Sequence, residues 1–232
     1  MTPQPVRYRP LHSCIIPPQT MLLKFAPLAV ASVLLATPHD PLPDLALGTT
    51  LPAADVRMMD VGGKEVTLHG AMGKNGLLVI FSCNTCPFVV GSEGSVGWEG
   101  RYPELAAYGK RHGVEVVFIN SNEAKRDAGD GFSDMQARYK AKKYSGAYLL
   151  DAGHVVADAF GARTTPHVFL FNKARALVYK GAIDDNVGDP DAVKAHYVKD
   201  AIAHLSDGSP IDPAITRNIG CSIKRMPVAH TH

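Results

Sequence analysis

An α/β domain with a mixed central β-sheet flanked by helices is the fold class this sequence predicts. Three observations carry that prediction. Two apolar runs, "GLLVIFS" (76–82) and "VEVVFINS" (114–121), read as strands buried on both faces. Amphipathic segments between and after them read as helices. A late pair of runs, "HVFLFN" and "ALVYKGAI", reads as a hairpin turning around Lys173. Strands that alternate with helices and then close with a hairpin and a last helix give such a sheet.

Taken in order, "ADVRMMDVGGKEVTLHG" reads as two short strands around a Gly-Gly turn. The buried strand 76–82 follows. "YPELAAYGKRHG" is a helix with Pro103 in its first turn and Gly113 just past its end. After strand 114–121, Ser133 and Gln136 have the spacing of a capping box for the helix "DMQARYKAKKY". "AYLL" is a short strand and "HVVADAFG" a short helix closed by Gly161. Asp189 caps, and Pro190 starts, a last helix through Leu205.

The chain has 232 residues, 24 basic and 22 acidic, a net charge of +2. Lys and Arg form no block or stripe, which speaks against a nucleic-acid partner. From Met21, one cation (Lys24), an apolar run to Ala36 and a polar Pro-containing stretch follow the order of a secretory signal. The run is shorter than the ~20 residues that a membrane span needs. The expected organisation is therefore an extension or gene-start artefact at 1–20, a signal peptide at 21–36, a linker at 37–50, a core domain at 51–207 and a tail at 208–232 that carries Cys221. Export to a bacterial periplasm or cell envelope is expected, with no stable membrane span after signal removal.

The chemistry centres on "FSCNTCPFV", where Cys83 and Cys86 stand three apart before Pro87. A bridge between them would close almost no loop, so it is a poor staple. Zinc needs four ligands, and Cys14 and Cys221 each stand alone. A redox couple fits best. The pair follows a buried strand, and a helix starting there would favour a Cys83 thiolate over the thiol. Residues i and i+3 of a turn lie within disulfide reach, and Pro87 suits a first helical turn. C-x-x-C in a β–α pattern is a redox signature. On this reading Cys83 is the exposed, attacking thiol and Cys86 the sheltered, resolving one.

"VIFSCNTCPF" resembles the active-site segment of thioredoxin-like proteins, and "GARTTPHVFLFN" is similar to their cis-proline segment. More closely, the chain resembles peroxiredoxin-like redoxins with a C-N-x-C-P-F site, through "FINSN", "ARTTPHVFLF", "LVYKGAIDDN" and "GCSIKR". The resemblance implies a thioredoxin-like fold and a cis Thr165–Pro166 bond facing the cysteines. It also implies that the backbone at Thr165 can pair with an extended substrate, and that the tail belongs to the domain. It departs from peroxiredoxins where they carry Thr or Ser three before the peroxidatic cysteine: that residue here is Cys83. Val79 stands where their proline is expected, and no acidic residue lies near Leu77, where thioredoxins bury an aspartate.

Other candidates carry less. Arg163 could favour a thiolate or bind a carboxylate, or be a surface charge. Cys221 is either a third redox thiol, aimed by a tight turn at Gly220, or a packing residue. "GSEGSVGWEG" matches no nucleotide loop and points to a short or broken helix after Cys86. Trp98 reads as core or rim. "DDNVGDPD" lacks the twelfth-position Glu of a calcium loop and reads as a turn and cap. The expected function is an exported thiol–disulfide oxidoreductase, with Cys83, Cys86 and Pro166 at its site. Its expected partners are protein or small-molecule thiols and disulfides, with no organic cofactor and no metal. Two alternatives stay open: a peroxidase using Cys86 with Cys83 or Cys221 as resolver, and a redox-inert module binding metal through the two thiolates.

Overall fold

The computed structural model of the protein describes Met1, Gln4 and residues 42–227. The signal-like segment and Cys14 lie outside the described residues. Nine strands form two sheets among them. β1 (Met58–Asp60), β2 (Glu65–Val66), β3 (Gly76–Ser82), β4 (Val114–Asn120), β5 (Ala147–Leu150), β7 (His167–Asn172) and β8 (Leu177–Gly181) make a seven-stranded mixed sheet. Its order is β2-β1-β5-β4-β3-β7-β8. β3, β4 and β5 run parallel, while β7 lies antiparallel on the other side of β3. β6 (Thr164–Thr165) and β9 (Cys221–Ser222) form a separate antiparallel pair.

Each side of the sheet buries one half of the alternation along the strands. Leu78, Ile80 and Phe118 face a cluster with Tyr102, Tyr144 and Tyr148. Leu77, Val79, Phe81 and Ile119 face Phe160, Phe169 and Phe171 on the other side. All seven residues of β3 are buried, and each large apolar side chain among them contributes about 1.5–3 kcal/mol. Tyr102, on helix α2 (Tyr102–Arg111), stacks on Phe118 with ring centroids 4.6 Å apart. The remaining helices are α1 (Pro87–Val90), α3 (Phe132–Ala141), α4 (Val155–Phe160) and α5 (Tyr197–Asp207). No described helix is long and apolar enough to cross a membrane.

Three local expectations give way to the structure. α3 begins two residues earlier than read. Its cap is the Asp134 carboxylate accepting from the Gly131 N–H at 3.1 Å, while Gln136 reaches away to the Val61 carbonyl at 2.9 Å. The expected helix from Pro190 to Leu205 is broken. Asp189 does cap a turn at Pro190–Ala192, but the Asp185 carboxylate then takes the Lys194 N–H at 2.9 Å and Val193 is extended. α5 starts afresh at Tyr197. Residues 42–50, read as linker, are partly packed: Leu45 is buried, Thr50 bridges Ala176, and Asp44 pairs with Lys180 at 2.6 Å.

The parallel order changes direction at β3, with β4 on one side and antiparallel β7 on the other. Crevices at the carboxyl ends of strands beside such a switch favour binding sites. The register puts Ser82 opposite Asn120 and Phe81 opposite His167. The chain leaving β3 therefore enters a gap between the end of β4 and the segment just before β7.

Candidate active site

Cys83 follows the last residue of β3, and Cys86 is the N-cap of α1, with Pro87 as its first residue. α1 is a single turn. Gly91 ends it with φ +88°, and the chain then doubles back so that Gly97 meets Val89; a β-carbon at Gly97 would collide with the Val89 carbonyl. The glycines thus produce the short helix that their spacing implied. Trp98 is buried beyond them, its indole N–H on Asp184 at 2.7 Å and its backbone N–H on the Phe88 carbonyl at 3.0 Å.

Thr165 faces both cysteines across a cis Thr165–Pro166 bond. Its hydroxyl lies 3.1 Å from the Cys83 sulfur, and its carbonyl oxygen 3.1 Å from the Cys86 sulfur. The cysteines are both reduced. The expected order of exposure is not found: Cys83 is 0% exposed and Cys86 3%, so the first sulfur is at least as sheltered as the second.

Their acidities diverge. Cys86 is held well below the usual thiol range, at about 5, first by a hydrogen bond from the Cys83 thiol and then, against a desolvation penalty, by donors on Cys221 and by Thr165. The Thr165 carbonyl favours the thiol, because only S–H can donate to it, but the donors outnumber it. Cys83 is pushed up, first by that same bond to Cys86, then by burial and by the Asp130 charge. These surroundings favour the thiolate on Cys86 and the proton on Cys83. A one-turn helix supplies little dipole, so hydrogen-bond donors do what the helix was expected to do.

Asp130 was missed by the sequence reading. It lies in the β4–α3 loop, fully buried. One carboxylate oxygen accepts the Asn84 N–H at 2.6 Å and the Asn120 amide at 2.9 Å. The other accepts the Thr85 hydroxyl at 2.7 Å and the Asn122 amide at 3.0 Å. Both residues between the cysteines are thus clamped by one side chain. Arg126 braces the clamp from behind, bonding the Asn120 side chain and the carbonyls of Asn120, Asp130 and Asp151 at 2.9–3.0 Å. Tyr148 closes it with its hydroxyl on Asn84 at 3.0 Å. The one available signal was the polar run "NSN" at the end of an otherwise apolar strand, which needs a buried partner.

The tail returns to the site. β9 places Cys221 directly opposite Thr165. Ile223 is buried, and its N–H bonds the Arg163 carbonyl at 3.0 Å. The Lys224 backbone N–H donates to the Asn122 side-chain carbonyl oxygen and its carbonyl accepts from the Ala124 N–H, both at 2.9 Å. Arg225 bonds Asp158 and the Ala162 carbonyl, both at 2.7 Å. Gly220 lies at a bend directly before β9, and its backbone is not left-handed. It is required by closeness, since a β-carbon there would collide with the Thr165 carbonyl.

Arg163 is not with the sulfurs. It is exposed, and its guanidinium reaches the Leu42 carbonyl at 3.5 Å. Its side chain lines a cleft with Asp44, His167 and Lys180 that contains none of the cysteines. His167 is buried against Phe169, ring centroids 4.4 Å apart, and burial holds it down at about 4.

A mixed sheet carrying two paired thiols at a strand end and a facing cis-proline defines a thioredoxin-fold thiol oxidoreductase. The redoxin family profile matches residues 46–196, and the chain belongs to the redoxin family. A hypothetical protein from Sinorhizobium meliloti 1021 is 34% identical, with a TM-score of 0.70; the match covers 79% of this chain and 97% of that one. An uncharacterized conserved protein from Geobacillus kaustophilus is 30% identical, with a TM-score of 0.70, covering 79% of this chain and 94% of that one. The bacterioferritin comigratory protein of Xanthomonas campestris shares the fold, at 13% identity and a TM-score of 0.50 over 70% of this chain and 99% of that one. No protein of curated function matches the sequence.

Proposed function

We propose that the protein exchanges disulfides with external thiols or disulfides through a Cys83–Cys86 couple, with Cys86 as nucleophile and Cys83 as resolver. This reverses the roles expected from sequence. The observation that carries it is the placement of both sulfurs against Thr165 beside Pro166, in surroundings that lower the Cys86 thiol and raise the Cys83 thiol. The Cys86 thiolate attacks a substrate disulfide and expels one substrate thiol. Cys83 then loses its proton and attacks Cys86, which releases the second substrate thiol and leaves the Cys83–Cys86 disulfide. The test is a mixed-disulfide trap. With Cys221 also changed to Ser, so that no third thiol can resolve the adduct, Cys83→Ser is expected to accumulate adducts on Cys86, and Cys86→Ser to accumulate none; adducts on Cys83 in the Cys86→Ser protein would restore the order expected from sequence.

A second reading is a thiol peroxidase. It is favoured by the low pKa of Cys86, the position that resembles a peroxidatic cysteine, and by the Cys83 S–H that donates to it where peroxiredoxins carry a hydroxyl. Stopped-flow oxidation by hydrogen peroxide separates the two, because only a site that orients the peroxide beats a free thiolate of equal acidity. Export is proposed on the signal-like order of residues 21–36. Fractionation of the producing cells and the N-terminal mass of the mature protein test it.

A further inference from the structure

With β9 seated, Cys83 and Cys86 are almost completely buried, whereas Cys221 is only half-buried. Thr165 links all three: its hydroxyl touches the Cys83 sulfur, its carbonyl the Cys86 sulfur, and its backbone pairs with Cys221. Cys221 packs against the same core cluster as the two cysteines. This tail segment lies beyond the redoxin match, which stops at residue 196. An extended segment pairing with a strand edge is how peptides commonly dock. Here the protein's own tail fills that edge and brings a thiol with it.

We propose that Cys221 is a third exchange thiol, carried by β9 to Cys86, which moves the disulfide from the buried Cys83–Cys86 position to a half-exposed Cys86–Cys221 position. This rests on the reading of Cys83 and Cys86 as a redox couple. The relocation is an isomerisation without a co-reactant. The Cys221 thiolate attacks the Cys86 sulfur, the Cys86–Cys221 bond forms and the Cys83–Cys86 bond breaks. Cys83 leaves as a thiolate and takes up the proton that Cys221 gave up. An external thiolate then attacks the Cys221 sulfur and expels Cys86. A second external thiol attacks the external sulfur of that mixed disulfide, which frees Cys221 and yields the oxidised external pair. Two electrons enter, and two protons complete the reduced thiols.

The acidities suit the release step. Cys86 is the best leaving group of the three, so a disulfide attacked at Cys221 opens fast. The relocation itself expels Cys83, the weaker leaving group, and depends on the seating of Cys221 opposite Thr165 beside Cys86 rather than on acidity. Cys221 sits at about 11, through desolvation first and then its contacts with Cys86, so it is a protonated thiol at rest.

The test uses the purified full chain, oxidised with diamide, acid-quenched, alkylated and mapped by peptide mass spectrometry. In Cys83→Ser the expected product is an intramolecular Cys86–Cys221 disulfide; Cys86 oxidised by other partners with Cys221 free overturns the proposal. The oxidised wild type and Cys221→Ser are then reduced with thioredoxin, with Cys221→Ala as a second variant should the serine misfold. Loss of Cys221 is expected to slow reduction at least tenfold, and an unchanged rate overturns the proposal. If wild type forms no Cys83–Cys86 disulfide at all, the underlying couple fails and the relay falls with it. If that disulfide forms but never relocates, only the relay fails.

Discussion

The two flanks of the cysteine loop are built to different rules. On one flank, Asp130 and its partners hold Asn84 and Thr85 through a fully buried polar network in which every carboxylate lone pair has a donor. On the other, the cysteines meet a strand of two residues, anchored mainly through Ile223, Lys224 and Arg225 further along. The first flank fixes where the sulfurs are, because a buried network loses heavily when any member is removed. The second can change, because two residue pairs of a solvent-facing strand contribute little. A rigid wall and a movable cover around one dithiol are what exchange with a large partner needs.

The largest effect is expected at the thiolate. Cys86→Ser should lower dithiol exchange by at least about a thousandfold, since a hydroxyl at neutral pH is not a nucleophile. An insulin-reduction assay checks it, and residual activity near wild type would shift the chemistry to Cys83 or Cys221.

Next comes the rigid flank. Asp130→Asn replaces two acceptors by one acceptor and one amide, and so turns two of the four donors against a donor. A loss of about 2–4 kcal/mol in urea unfolding is expected, the size for breaking a buried charged network. The Cys83 thiol should become more acidic as the neighbouring charge is lost. An unchanged midpoint would make the wall no stiffer than the cover.

The pH dependence follows from Cys86. Its pKa is depressed in the fold, so between about 5 and the ordinary thiol value of about 8.5 the unfolded chain binds a proton that the native one does not. Stability of the reduced protein from this group rises with pH through that window and is lost as pH falls through about 5. The difference in urea midpoint between reduced wild type and Cys86→Ser, followed from pH 4 to 8, should grow with pH; a flat difference would mean that Cys86 is not the thiolate.

The smallest effect is expected at the cover. Gly220→Ala places a β-carbon against the Thr165 carbonyl. It should cost about 1–3 kcal/mol locally and raise the alkylation rate of Cys86 while leaving the unfolding of the sheet cooperative. Unchanged alkylation would show that the tail does not shield Cys86.

The sequence spoke clearly wherever one segment decides its own structure. β3, β4, β5 and β7 announced themselves as apolar runs, and Pro166 and the cysteines stood out through local motifs. It was silent where two distant segments decide together. Asp130 is one aspartate among many until the fold brings it 46 positions back to Asn84. β6 and β9 are two residues each, too short for any periodicity. For Arg163 the sequence left a site role and a surface charge both open, because three positions before a proline says nothing about which way a side chain turns; it is exposed. The order of the two thiols misled because it was argued from a helix that proved to be one turn long.

Trp98 is the sole indole of the chain. Its backbone hangs on the Phe88 carbonyl, within the single turn that Cys86 caps. Its ring N–H rests on a buried carboxylate that Arg101 also holds, at 3.3 Å. Any change at Cys86, whether loss of its negative charge or a new bond to sulfur, pulls on that turn and alters the local field at the ring. The protein therefore carries its own optical gauge: emission from one unlabelled chromophore should track the oxidation state of the dithiol in real time. The redox midpoint and the exchange kinetics become measurable without a dye, a tag or a coupled enzyme.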